Sequence, residues 1–107
     1  MRPISSSEKP IFEFLANAAG LSIDIDSLLV EPLDDGGMGS LAIAPRDDKR
    51  TFSTSVAGCE FSDADGVLVS AELYVDQENL PFELDVWKVN SSPLLTYPTL
   101  DQIRSAV

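Results

Sequence analysis

The chain has 107 residues, 44% of them hydrophobic, with 7 Lys and Arg against 18 Asp and Glu and a formal net charge of -11. That balance excludes a protein that binds DNA or RNA through its phosphates, because such contacts need Lys and Arg, and it disfavours an anionic membrane surface. The hydrophobic content is too high for a disordered acidic tail, so the charge is expected on one packed domain spanning residues 1–107.

Histidine is absent, which removes Ser-His-Asp and Cys-His catalysis and His-ligated metals. The only cysteine, Cys59, cannot form an intrachain disulfide, and a reducing compartment fits best. Its neighbours Gly58 and Glu60 offer no cation, so it reads as a small core or sheet residue. MRPISSSEKP lacks the apolar stretch of a secretory signal, and no window approaches the roughly 18 apolar residues of a membrane span. A cytoplasmic protein is expected.

Residues 7–19 carry Ile11, Phe14, Leu15, Ala18 and Ala19 at three- and four-residue spacings, with Phe12 widening the stripe, and predict a helix. Ser7 is a candidate N-cap and Ser5 with Glu8 a competing capping box. Gly20 supplies a left-handed stop with Leu21 behind it. The apolar runs 28–33 and 41–44 read as strands paired in a hairpin around DDGGMG at 34–39. PRDDKR, 45–50, has no apolar periodicity and reads as a solvated loop.

From Thr51 onward strand signals dominate. Phe52, Thr54 and Val56 alternate in a strand running to Phe61, with Gly58 marking a bulge. SDADG at 62–66 is a turn. In the next run Val67, Val69, Ala71, Leu73 and Val75 fall on one face and Leu68, Ser70, Glu72 and Tyr74 on the other. A last strand sets Phe82, Leu84 and Val86 against Glu83, Asp85 and Trp87, and these three strands form a meander. Pro93 and Pro98 make the following segment irregular, and Thr99 with Gln102 resembles a capping box for a short helix over 100–106. The fold expected is α+β: an N-terminal helix packed on an antiparallel sheet of about five strands, with a short C-terminal helix.

Between Arg50 and Lys88 the chain holds Glu60, Asp63, Asp65, Glu72, Asp76, Glu78, Glu83 and Asp85 and no cation. A carboxylate-rich sheet face is the consequence. Glu83, Asp85 and Trp87 share one strand face and Glu72 and Tyr74 the polar face of its neighbour. Carboxylates beside aromatic rings can take a cationic partner, and negative charge steers a basic one. In DDGGMG, Asp34 and Asp35 precede Gly36, Gly37 and Gly39, which permit positive φ and close backbone approach. No lysine or helix start follows to hold a phosphate, so a hairpin loop bonded by its own Asp side chains is expected. Asp63 and Asp65 resemble the opening of a calcium loop, but Val67, Leu68 and Val69 occupy its later ligand positions. A composite divalent-metal site drawing on Asp34, Asp35, Asp63, Asp65 and Asp76 is the rival arrangement, as is a hydrolytic carboxylate pair.

The strings MRPISSSEK at 1–9, LLVEPLDDGGMGSL at 28–41 and FELDVWKVNSSPL at 82–94 together resemble a family of small bacterial proteins described only as a domain of unknown function. The resemblance implies no catalytic residues and no cofactor. The functional expectation is a non-enzymatic acidic interaction protein that binds a basic protein partner, of the general character of an immunity protein or inhibitor. The glycine loop, Glu72, Tyr74, Glu83, Asp85 and Trp87 are its expected contact residues. The alternative is a small divalent-metal-binding or carboxylate-based hydrolytic domain.

Overall fold

A computed structural model describes residues 1–106, apart from the side chain of Ser53. In chain order the elements are β1 (Arg2–Pro3), α1 (Lys9–Ala19), a 3-10 turn (Ile25–Ser27), β2 (Leu29–Pro32), β3 (Leu41–Ile43), β4 (Phe52–Ser62), β5 (Leu68–Asp76), β6 (Pro81–Lys88), a second 3-10 turn (Leu100–Gln102) and β7 (Arg104–Ser105). The strands form one seven-stranded antiparallel sheet in the order β1-β2-β3-β6-β5-β4-β7. The α+β class and the β4-β5-β6 meander stand as expected, but the sheet has seven strands, not about five. The two extra strands are two residues long, too short to carry a period-two pattern.

Helix α1 begins at Lys9 with Pro10 in its first turn, where the missing N–H costs nothing. No side chain caps it in the way expected of Ser7. Instead the Glu8 carboxylate accepts the Ser5 N–H at 2.9 Å and takes both terminal nitrogens of Arg2 at 2.8 Å. Gly20 sits at φ 70 and ends the helix, and the Leu21 N–H reaches back to the Ala16 carbonyl. The buried stripe is Ile11, Phe12, Leu15 and Ala16; Phe14 is only partly buried and Ala18 is exposed. These side chains press on β4 and β5, against Phe61, Val69 and Leu73, in the one core shared with Val30, Ile43 and Leu84. Cys59 belongs to that core, and burial, with the neighbouring Glu60 charge, pushes its thiol up to about 11. It is an inert apolar filler.

The short helix expected over 100–106 does not form. A single 3-10 turn spans Leu100–Gln102, with the Thr99 N–H donating to Gln102 Oε1 at 3.0 Å. The chain then pairs with the edge of β4, Cys59 opposite Ser105 and Glu60 opposite Arg104. The edge of β4 offers backbone partners to an extended chain that a helix here would leave unpaired. Gly58 pairs directly with Glu72; the register shifts of β4 fall instead between Phe52 and Thr54 and between Ser55 and Ala57.

Candidate functional site

Alternation along β5, and along β6 from Glu83 onward, sends Val69, Leu73, Leu84 and Val86 inward and leaves Glu72, Tyr74, Asp85 and Trp87 on the opposite face, which no helix among the described residues covers. Antiparallel register sets Tyr74 opposite Glu83, Glu72 opposite Asp85, and Ser70 opposite Trp87, in rows about 7 Å apart. Glu72 and Asp85 are therefore direct cross-strand neighbours of like charge, an arrangement that costs the free protein stability. Glu72 accepts the Tyr74 hydroxyl at 2.8 Å, and Asp85 faces the Ser40 hydroxyl at 3.4 Å. Among the described residues neither lies within ion-pair distance of a cation. The hydrogen bond to Glu72, then burial and the charges of Glu72, Asp85 and Glu83, push the Tyr74 phenol up to about 12. Burial also pushes the Glu83 carboxyl up; Arg46 opposes this and the Asp85 charge reinforces it.

One irregularity brings a further aromatic ring to this face. Between Tyr74 opposite Glu83 and Val75 opposite Pro81, β6 carries one extra residue, Phe82. A bulge of this kind re-aims a side chain, so Phe82 leaves the core expected for it alongside Leu84 and Val86. Its ring lies 6.3 Å edge-on from Phe52, whose own ring packs 4.4 Å from Tyr74. The Arg46 guanidinium sits 4.4 Å above Phe82 and 3.7 Å from Glu83. The outcome is a carboxylate band with Tyr74, Phe52 and Phe82 at one end and Trp87, 48% exposed, at the other.

The glycine-rich loop is closed rather than open. Asp35 accepts the N–H groups of Met38 and Ser40 at 3.1 and 2.9 Å, as the hairpin-loop reading expected. Burial pulls its carboxyl up, but these bonds and that of Ser40 outweigh it and hold the group low. The C-terminal segment crosses over the loop: Leu94 N–H donates to Gly37 at 2.9 Å and the Tyr97 hydroxyl to Gly39 at 2.6 Å. Gly39 stands at φ 101, and a Cβ there would lie 2.9 Å from Leu94 and 3.1 Å from the Tyr97 oxygen. Gly39→Ala is expected to cost about 1–3 kcal/mol, measured by urea denaturation. A cleft of about 230 Å³ beside the loop is lined by Arg2, Glu8, Asp35 and Tyr97, all of whose polar groups are already engaged. Asp34, Gly36 and Gly37 are the exposed part of the loop. Ser40, at its end, anchors it to β6 by accepting the Val86 N–H at 2.9 Å.

The five aspartates of the metal arrangement are not brought together. Asp63 and Asp65 stand before β5 and Asp76 at its far end. Each is held by a cation of the chain itself. Lys88, with 1% of its side chain exposed, donates to Asp63 and Asp65 at 2.8 Å each and to the Pro93 carbonyl at 3.3 Å. Asp63 also accepts the N–H groups of Leu95, Thr96 and Ala64, so one buried carboxylate fastens the C-terminal segment to the β4–β5 turn. Asp76 takes Arg50 at 2.8 Å and the N–H groups of Glu78 and Leu80, while Arg50 donates further to carbonyls of Ile43, Pro45 and Pro81. No group of three or more acidic or cysteine ligands able to hold a metal occurs among the described residues. Millimolar Ca²⁺ or Mg²⁺ is expected to leave the melting temperature where equal ionic strength of NaCl leaves it.

Of the residues expected to make contacts, the structure gathers Glu72, Tyr74, Glu83, Asp85 and Trp87 on one face; Asp34 and the glycines lie on the separate loop. Phe52, Phe82 and Arg46 join the face without having been expected there. Only a one-residue bulge puts Phe82 among them, and no local sequence signal announces it.

The fold and this face define a small α+β domain with an uncovered, carboxylate-lined sheet surface between aromatic groups. The chain belongs to a family described as a domain of unknown function, DUF6984, whose model matches residues 1–98. No curated protein and no solved structure matches it. No helix among the described residues is long and apolar enough to cross a membrane.

Proposed function

We propose that the protein is a non-enzymatic docking module whose outer sheet face covers a basic surface of a protein partner, in the manner of an immunity protein or inhibitor. The observation that carries this reading is the Glu72–Asp85 pair. Two like charges set directly across a strand pair, with Glu83 in the next row, weaken the isolated domain and are relieved by a cation from outside. The aromatic groups at both ends supply the large rigid anchors on which interface energy concentrates. Arg50 and Lys88 are buried in internal pairs with Asp76 and Asp63, so the net charge of -11 stays with the surface and favours fast, salt-sensitive association. The glycine loop, pinned beneath the C-terminal segment, supports β6 in this reading through Ser40.

The test is capture from an extract of the source cells by the wild-type protein and by a Glu72→Gln, Glu83→Gln, Asp85→Asn variant. Expected is a basic protein retained by wild type at low salt, released by about 0.5 M NaCl, not held by the variant, and inhibited in its own activity when bound. Equal retention by both proteins overturns the reading.

A further inference from the structure

The outer face already holds one guanidinium. Arg46, in the loop between β3 and β4, lies 4.4 Å above the Phe82 ring, 3.7 Å from Glu83, and donates to the Phe82 carbonyl at 3.2 Å. Arg50 places a second guanidinium 5.1 Å from the same ring, and this one is buried and fixed by Asp76. The two differ in kind. Arg50 has 7% of its side chain exposed and bonds Asp76 and three carbonyls, whereas Arg46 is one-third exposed and, among the described residues, is held through Phe82 and Glu83 alone.

From this we infer that the outer face recognises arginine rather than positive charge in general, and that Arg46 is an internal competitor occupying one of its guanidinium positions until a partner's arginine displaces it. The inference rests on the docking reading above and names the partner's contacting group. A planar, weakly hydrated guanidinium stacks on an aromatic ring while its edge pairs with a carboxylate; a lysine ammonium is a compact, strongly hydrated charge that gains less from the ring. Phe82 and Glu83 offer that combination, and Arg46 demonstrates the fit. Next to them, Tyr74 stands beside the Glu72–Asp85 pair, so a second arginine meets the same chemistry one row along.

Removing Arg46 frees the position but also makes the protein one charge more negative, so its effect must be compared with a charge change that leaves Phe82 untouched. Lys49, exposed in the same loop, provides it. The experiment is an NMR titration of the wild type, Arg46→Ala and Lys49→Ala with hexa-arginine and hexa-lysine peptides at one fixed ionic strength. Expected are shifts centred on Phe82, Glu83 and Tyr74, tighter binding of the arginine peptide than of the lysine peptide, and a gain of about threefold to tenfold for the arginine peptide in Arg46→Ala that Lys49→Ala does not reproduce. If both peptides bind the face equally and the two variants behave alike, arginine recognition and competition by Arg46 are overturned while docking of cations stands. If neither peptide shifts the face in any of the three proteins, the docking reading falls as well.

Discussion

Replacing Asp63 with alanine is expected to lower the melting temperature by about 12–20 °C, read by circular dichroism. Removing one partner of a buried, fully bonded ion pair costs about 3–5 kcal/mol, and for a domain of this size each kcal/mol moves the midpoint by roughly 4 °C. The mechanism is specific. The Asp63 carboxylate collects the Lys88 ammonium and three backbone N–H groups, and its removal leaves the buried ammonium with Asp65 as its one remaining carboxylate and unfastens the segment that covers the glycine loop.

Acidification acts on the same bonds. Burial pushes the Asp63 carboxyl up, but Lys88 and the N–H groups of Leu95, Ala64 and Thr96 outweigh it and hold it below the ordinary aspartate value of 3.8. Arg50, Leu80 and Glu78 overcome burial in the same way at Asp76. The unfolded chain therefore takes up these protons first. The stabilisation is complete above the ordinary value and is lost as pH falls through it toward the lowered folded values. The melting temperature is expected to be nearly flat down to about pH 5 and to fall steeply below about pH 4, less steeply in Asp63→Ala. Glu83, whose carboxyl burial raises, works in the opposite sense and recovers a little stability as pH falls.

Glu72→Lys is expected to move stability and docking in opposite directions. It turns a repulsive cross-strand pair with Asp85 into an attractive one, worth up to about 1 kcal/mol, part of which is offset by loss of the exposed Tyr74 hydrogen bond. It also puts a cation at the centre of the proposed contact face, where like charge against a basic partner costs several kcal/mol, so affinity for that partner is expected to fall by about 100-fold. Denaturation and a binding titration on the same sample read the two effects. A variant that is stabilised and still docks with unchanged affinity removes this face from the account.

The residues that obey simple periodicity were the legible part of the fold. β5 alternates without interruption from Val69 to Val75, and α1 ends where Gly20 says it should. The C-terminal segment was not legible, because Thr99 with Gln102 looks the same whether a helix or a single turn follows; the free edge of β4, a tertiary feature, decides in favour of a strand. Lys88 carried an unused signal, since the parity of Leu84 and Val86 puts it on the buried face, and a lysine there requires carboxylates nearby. Arg50 carried none: its loop has no periodicity, and its carboxylate partner, Asp76, is distant in sequence. The outer sheet face was readable where strands alternate, at Glu72, Tyr74, Asp85 and Trp87, and unreadable at Phe82, where one inserted residue reverses the side on which a side chain emerges.

Docking through the outer sheet face is tested by a hydrogen-exchange footprint of the protein free and in complex with the basic protein that the capture experiment is expected to supply. Slowed exchange is expected in β5 and β6 alone, around Glu72, Tyr74 and 83–87, with the backbone of α1 unchanged. Protection centred on α1 or on the segment after Lys88, with β5 and β6 exchanging as in the free protein, would contradict it.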